Sequence, residues 1–251
     1  MSFSKIFQRC FSWVSDKSPA QILFIVVFLE SLAIVLAIWR ATAAGYSPQA
    51  FFKEGEYMTI LSCLQLLGSA VVARKIFLLA KSSSNSILNN SSSFWHVVSF
   101  GLFFLTLDDA LGIHEYIDKL LHSLLDIQET ALTDLADDAT VGGYLLFFLI
   151  YAIRKWHSIQ LFRSAFVYFR LGCILTVVMV IFDAASNNRM FVSMLTDNPE
   201  RASFWQTWFS TFEDSVKIYA EGLFFIGVYK CWRIAKALNN RINTKIPLKF
   251  F

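Results

Sequence analysis

Acidic side chains occur inside the long apolar stretches of this sequence. Glu30 interrupts one apolar run, Asp183 closes another, and the pair Asp108-Asp109 lies within a third. An ionisable side chain at the centre of a membrane-spanning helix costs about 2.5–3.5 kcal/mol on insertion scales. If these runs cross a membrane, each such residue therefore needs a partner or a function.

The last apolar run combines acids with one lysine. On a helix with about 100° per residue, Asp214, Lys217 and Glu221 share one face at i, i+3 and i+7, with Glu213 at its margin. The lysine could neutralise neighbouring carboxylates, so that the cluster fixes helix packing. The carboxylates could instead alternate protonation and carry protons or cations. The sequence leaves both interpretations open.

A metal site is the third interpretation of these residues. Asp108, Glu115 and His122 follow one helical stripe at i, i+7 and i+14. Carboxylates and imidazoles are ligands suited to Zn²⁺, Mn²⁺ or Fe²⁺. The spacing matches neither HExxH nor the ExxH pairs of bundle di-iron sites. The candidate ligands of a divalent metal are Asp108, His114, Glu115, Asp118, His122 and Glu213.

Composition predicts the elements that hold these side chains. The chain has 251 residues and is 56% hydrophobic and 16% charged, whereas soluble domains are about 25% charged. About 20 apolar residues cross a hydrocarbon core about 30 Å thick, and the runs lack the period-two alternation of barrel strands. We therefore expect an all-α polytopic membrane protein. Its six transmembrane helices are predicted at 20–43, 57–80, 94–117, 139–155, 164–185 and 203–229.

Basic residues and tryptophans predict the orientation of this bundle. Sixteen of the 22 Lys and Arg residues lie in the two tails, in the second and fourth loops or near the ends of the spans that flank those loops. Because cytoplasmic loops are enriched in Lys and Arg, both termini are predicted to lie in the cytoplasm, with the protein in the inner (plasma) membrane. The seven tryptophans fall at predicted span ends, where indole rings prefer the interface.

This topology places most of the intramembrane charges in the outer half of the bilayer. The third and sixth spans are expected to meet there, so that Asp108 and Glu213 face each other across the bundle. The predicted polar site consists of Glu30, Asp108, Asp109, Asp183, Glu213, Asp214, Lys217 and Glu221.

Three domains and their partners follow from the charge distribution. Residues 1–19 form a basic amphipathic segment, residues 20–229 the six-helix transmembrane domain, and residues 230–251 a basic cytoplasmic tail. Basic amphipathic and polybasic segments bind anionic lipids. The expected partners are the bilayer, anionic inner-leaflet lipids at both tails, and a cation, but no nucleic acid. An oligomer or a larger complex stays open.

One short pattern resembles a known group of sequences. Asp108-Asp109 followed by His114-Glu115 is similar to a pattern in uncharacterised bacterial multi-pass membrane proteins, where an acidic pair precedes His-Glu on one span. The resemblance covers about ten residues. It implies a bacterial inner-membrane origin and no known activity. The HxxxH on the last span of seven-span zinc hydrolases of the alkaline ceramidase type is absent from the predicted sixth span.

Three functions are compatible with these observations. The first is a membrane protein whose outward-facing acidic, His and Lys site binds or transports a proton, a cation or a metal. The second is a membrane-embedded, metal-dependent enzyme that acts on a lipid or a lipid-linked substrate. The third is a non-catalytic accessory subunit of a membrane complex.

Reporter fusions test the predicted topology. Reporters placed in 1–19, 82–93, 154–163 and 230–251 should all report a cytoplasmic location, because these segments carry most of the basic residues. A C-terminal reporter that is active only outside the cell would contradict the even number of spans.

Overall fold

The computed structural model describes most of the chain and is helical wherever it has regular structure. The described residues are 17–53, 55–113, 116, 120, 143–144, 146–187, 196 and 198–243. Within them every regular element is an α-helix or a short 3₁₀ helix. The all-α prediction is therefore confirmed for this part of the chain.

Seven α-helices have defined bounds. They are α1 (Pro19–Ala43), α2 (Tyr57–Ser82), α3 (Ser86–Asn90), α4 (Ser92–Leu111), α5 (Trp156–Ile159), α6 (Phe166–Asn187) and α7 (Pro199–Asn243). Short 3₁₀ helices cover Pro48–Phe51 and Gln160–Ala165, and residues 146–154 are also helical.

Four described segments are long and apolar enough to cross a membrane, which indicates a membrane protein. They are Pro19–Ala43, Tyr57–Ser82, Ser92–Leu111 and Trp156–Ser186. They correspond to the first, second, third and fifth predicted spans. The predicted fourth span, 139–155, lies partly outside the described residues. The predicted sixth span lies in α7, where charged residues recur along the helix. Six spans and their orientation stay predictions.

The first span begins with a complete capping box. Ser18 Oγ accepts a hydrogen bond from the backbone N–H of Gln21 at 3.2 Å, and the Gln21 side chain accepts one from the Ser18 N–H at 2.9 Å. Pro19 occupies the first helical position, where its missing N–H costs nothing. The buried residues of α1 recur at a spacing of three, four or eight and define one face: Ile22, Glu30, Ile34, Ala37 and Ala41.

The chain divides into two compact units. The first comprises residues 1–65 and 164–233, and the second comprises residues 66–163 and 234–251. In the first unit, a hydrophobic core joins α1 to the connection after it, to the start of α2 and to α7. Its buried members are Ile34, Ala37, Phe52, Met58 and Ile218.

Two glycines bring α6 and α7 close together in the first unit. A Cβ atom at Gly172 would lie 2.9 Å from the Phe224 ring, and one at Gly227 would lie 2.9 Å from the Phe169 ring. Each helix therefore receives a phenyl ring from the other at a position that has no side chain. Small residues of this kind are the usual means by which membrane helices approach one another.

Aromatic packing organises the second unit. Trp95 is 2% exposed, and its ring meets that of Phe162 edge-on with centroids 5.2 Å apart. Phe94 stacks on Tyr151 at 6.0 Å. The Ser99 hydroxyl donates to the Ala70 carbonyl at 3.1 Å and so joins α4 to α2.

The carboxyl-terminal half of α7 is hydrogen-bonded to the backbone just before α1. The Tyr229 hydroxyl donates to the Lys17 carbonyl at 2.8 Å, and the Arg233 guanidinium donates to the same oxygen. Because α7 continues to Asn243, the predicted boundary at 229 falls inside one helix. Residues 1–16 and 244–251 lie outside the described residues, so the predicted binding of both tails to anionic lipids stays a prediction.

The hydroxyl of Tyr229 should contribute measurably to stability. Tyr229→Phe removes a buried donor to the Lys17 carbonyl but keeps the ring, so we expect a loss of about 0.5–1.5 kcal/mol in unfolding free energy. Denaturant unfolding in detergent measures the change. Tyr168→Phe is the matched control, since the Tyr168 ring lies under the Lys230 ammonium and its hydroxyl has no hydrogen bond among the described residues. Equal stability of the two variants would contradict the assignment.

Candidate functional site

Among the described residues of the first unit, Glu30 is the most deeply buried acid. Its exposed fraction is 1%, although it lies near the middle of α1, roughly 17 Å from Pro19 and 20 Å from Ala43 at 1.5 Å per residue. The Gln65 side-chain amide donates to Glu30 Oε1 at 2.8 Å. A carboxyl group and an amide group thus pair between two candidate membrane spans.

The other carboxyl oxygen of Glu30 lacks this support. Glu30 Oε2 is buried and has no hydrogen-bond partner among the described residues. The one described donor to this carboxyl group, Gln65, is neutral. A charged group that is buried without a counterion is very costly. The carboxyl group therefore requires either a proton or a bound cation to remain where it is.

The backbone of α7 shapes the space around this carboxyl group. A Cβ atom at position 222 would overlap Glu30 Oε1 and would lie 3.0 Å from a methyl group of Val26. Gly222 is therefore a position where a side chain would displace the acid. Its lack of a side chain lets α7 pack directly against the Glu30 carboxyl group.

A second buried carboxyl group lies on α7, at the residue before Gly222. Glu221 is 8% exposed and Ser62 is 1% exposed, and the Ser62 hydroxyl donates to Glu221 Oε1 at 2.9 Å. Ser62 and Gln65 are three residues apart on α2, which is about 4.5 Å along its axis. Consecutive turns of α2 therefore hold Glu221 and Glu30.

A hydroxyl pair is the third polar link among these helices, and it joins α1 to α7. Ser31 Oγ and Tyr219 Oη are 2.8 Å apart, and Ser31 follows Glu30 directly in the chain. We call Glu30, Ser31, Ser62, Gln65, Tyr219 and Glu221 the three-helix polar cluster. All six residues belong to the first unit.

The other predicted site residues lie on three helices. Asp108, which is buried, and Asp109 lie on α4 in the second unit; Asp183 lies on α6. The remaining residues, Glu213, Asp214 and Lys217, lie on α7 and are half-buried. Of the eight predicted residues, the structure brings Glu30 and Glu221 into one cluster. The predicted contact between Asp108 and Glu213 stays a prediction.

The metal hypothesis rests mainly on residues outside the described part of the chain. Four of its six candidate ligands are in that category: His114, Glu115, Asp118 and His122. Among the described residues, no group of three His, Cys, Asp or Glu side chains could hold a metal ion. The divalent metal therefore stays a prediction.

The neutral members of the polar cluster were missed from the sequence because only ionisable residues were considered. Ser62 and Gln65 interrupt an apolar run at a spacing of i and i+3, which places them on one face of α2. This spacing could have identified them as partners for an intramembrane acid. Gly222 carries no such signal, because its role depends on the approach of another helix.

The chain belongs to the family described as Domain of unknown function (DUF8692), whose model matches residues 20–231. The matched range includes every member of the three-helix polar cluster. Searches of the curated proteins and of the solved structures found no match. The resemblance to bacterial multi-pass membrane proteins stays a prediction, since the family description names neither an organism nor an activity.

Gly222→Ala tests the geometry of the cluster. Alanine normally stabilises a helix by about 1 kcal/mol relative to glycine, but here the methyl group overlaps the Glu30 carboxyl group. We expect a loss of about 1–3 kcal/mol, as for other overpacked sites. Thermal unfolding in detergent provides the measurement.

Two further variants control this experiment. Gly143→Ala adds the same methyl group where no atom lies within 4 Å, and it should not destabilise. Glu30→Ala combined with Gly222→Ala should recover most of the loss, because the overlapping carboxyl group is gone. A Gly222→Ala protein as stable as Gly143→Ala would refute the close contact.

Proposed function

We propose that this chain is a multi-pass membrane protein that binds a proton or a small cation at Glu30, as one step of a path across the membrane. The observation that carries the proposal is the state of the Glu30 carboxyl group. It is 1% exposed at the middle of a candidate span, and one of its oxygens has no hydrogen-bond partner among the described residues.

The energetics of this carboxyl group favour binding. A single charge inside a membrane span costs several kcal/mol unless it is neutralised. The Gln65 amide stabilises the carboxyl group through a dipole but does not cancel its charge. A proton on Oε2, or a cation beside it, removes that cost. Occupancy and helix packing are therefore coupled, because α1, α2 and α7 enclose the same group.

The neighbouring polar groups extend this site beyond one residue. Glu221 supplies a second buried carboxyl group, which Ser62 holds about one helical turn from Gln65. Ser31 and Tyr219 supply hydroxyl groups beside them. Chains of intramembrane carboxyl and hydroxyl groups are typical of proton relays in pumps and transporters. A proton or cation released by Glu30 thus has further oxygen ligands nearby.

The proposal includes the finer topology and location inferred from the sequence. Six spans, both termini in the cytoplasm and residence in the inner membrane are supported by the distribution of 22 basic residues and seven tryptophans. With that orientation, the amino-terminal part of α2, which carries Ser62 and Gln65, lies in the outer half of the bilayer. The site would therefore open toward the outside.

Replacement of Glu30 should abolish ion movement without unfolding the protein. Glu30→Gln keeps an acceptor oxygen for Gln65 and removes the ionisable group. In proteoliposomes with an imposed ion gradient and membrane potential, we expect movement of H⁺, Na⁺ or K⁺ by the wild-type protein and at least a tenfold lower rate in the variant. Fluorescent ion indicators measure the rate. The control is Glu200→Gln, because Glu200 is exposed in the first turn of α7.

Binding of a proton or cation to Glu30 can also be tested without assuming transport. A ligand that binds the folded state stabilises it by mass action. The unfolding temperature of the wild-type protein should therefore rise with falling pH, or with Na⁺ or K⁺ concentration. Glu30→Gln should lose that dependence and Glu200→Gln should keep it. Identical pH and salt dependence in wild type and Glu30→Gln would leave Glu30 a packing role and end the proposal.

A further inference from the structure

The second unit contains an aromatic groove that the polar cluster does not use. The groove lies between α4 and the side chains of Tyr144, Phe147 and Phe148, and has a volume of about 390 Å³. On α4 it follows one face from His96 to Phe104, a length of about 12 Å. Its walls are His96, Val97, Phe100, Gly101, Phe104, Tyr144, Phe147 and Phe148.

A glycine sets the depth of this groove. A Cβ atom at Gly101 would overlap the Phe148 ring, so the ring packs directly on the α4 backbone. On either side the Phe100 and Phe147 rings stand outward, with exposed fractions of 68% and 57%. The groove is therefore apolar and open to the surroundings of the helix.

Basic side chains gather at one end of the groove. Arg74 Nη1 is 3.3 Å from His96 Nδ1, and the Arg74 guanidinium lies over the Phe77 ring at 4.6 Å. Phe77 in turn stacks on His96 at 4.9 Å, and the Lys81 ammonium lies 5.8 Å from the same ring. At the other end, the Phe104 and Tyr144 rings meet edge-on. The groove thus has a cationic end and an apolar end.

We propose that this groove binds one acyl chain of an anionic phospholipid, whose phosphate group contacts Arg74 and His96. A guanidinium group binds phosphate oxygens with strong charge-assisted hydrogen bonds. Basic pockets between membrane helices are known to hold lipid head groups. The aromatic walls offer the acyl chain a protein surface instead of contact with other lipids, and a flexible hydrocarbon chain can follow that surface.

The depths of the two ends match this ligand. His96 is four residues from the beginning of α4 and Phe104 is twelve, which is about 6 Å and 18 Å along the helix. In a span about 30 Å long, the first depth is near the head-group region and the second is near the midplane. Phospholipid is present in the bilayer at this depth. An anionic phospholipid is therefore the amphiphile that is available to the groove.

The experiment compares two lipids that have the same acyl chains. Native mass spectrometry of the detergent-purified protein is titrated with phosphatidylglycerol, which is anionic, and with phosphatidylcholine, which is zwitterionic. We expect phosphatidylglycerol to bind more tightly. Arg74→Gln should weaken its binding about fivefold, since one basic side chain near a lipid head group contributes about 1 kcal/mol. Phosphatidylcholine binding should change little.

The control arginine is Arg40, which also lies over aromatic rings, those of Phe51 and Tyr57 at 5.5 and 5.4 Å. Arg40→Gln should preserve the preference for phosphatidylglycerol. Val97→Trp, which fills the groove, should weaken binding of both lipids and remains informative if Arg74→Gln does not fold.

Three results with the variants would overturn the proposal. They are an unchanged lipid preference in Arg74→Gln, an equal loss in Arg40→Gln, and no effect of Val97→Trp. Displacement of phosphatidylglycerol by equimolar oleate would also overturn it, by identifying a free fatty acid as the ligand. None of these results depends on Glu30.

Discussion

The contact between Glu30 and the backbone of α7 constrains the arrangement of helices in the first unit. A carboxyl group in the middle of a membrane span has to be shielded from lipid, and shielding requires helices that come close enough to enclose it. Gly222 allows that approach because a Cβ atom there would overlap Glu30 Oε1. Gln65 completes the enclosure from α2 with a hydrogen bond of 2.8 Å. Three segments that are distant in the sequence thus pack around the side chain of one acid.

The same constraint explains why polar and small residues recur between these helices. Hydrocarbon offers membrane helices no hydrophobic driving force for association, so close packing and hydrogen bonds have to supply it. Gly172 and Gly227 provide close packing between α6 and α7. The pairs Ser31–Tyr219 and Ser62–Glu221 provide hydrogen bonds. The proposed site for a proton or cation would use the same groups that hold the helices together as its ligands.

The second unit has a different surface. The basic end of its aromatic groove is where Arg74 and His96 are in contact, and the Phe100 and Phe147 rings of the groove are exposed. Such a surface is suited to a lipid, because a lipid also has a charged head group at one end and a hydrocarbon chain at the other. The two proposed sites therefore differ in kind, since one is enclosed by helices and the other is an exposed groove.

Hydropathy in the sequence was sufficient to predict four candidate membrane helices and the position of Glu30 near the middle of the first, because both depend on local composition. Helical spacing identified Glu221, since Asp214, Lys217 and Glu221 share a helical face. The tertiary structure decided which groups meet. Periodicity reports the face of one helix and carries no information on the helix opposite, so only the fold could pair Glu30 with Gln65 and Gly222. For the same reason the role of Gly222, the glycine that lets α7 approach the acid, became visible only when the three helices were packed together.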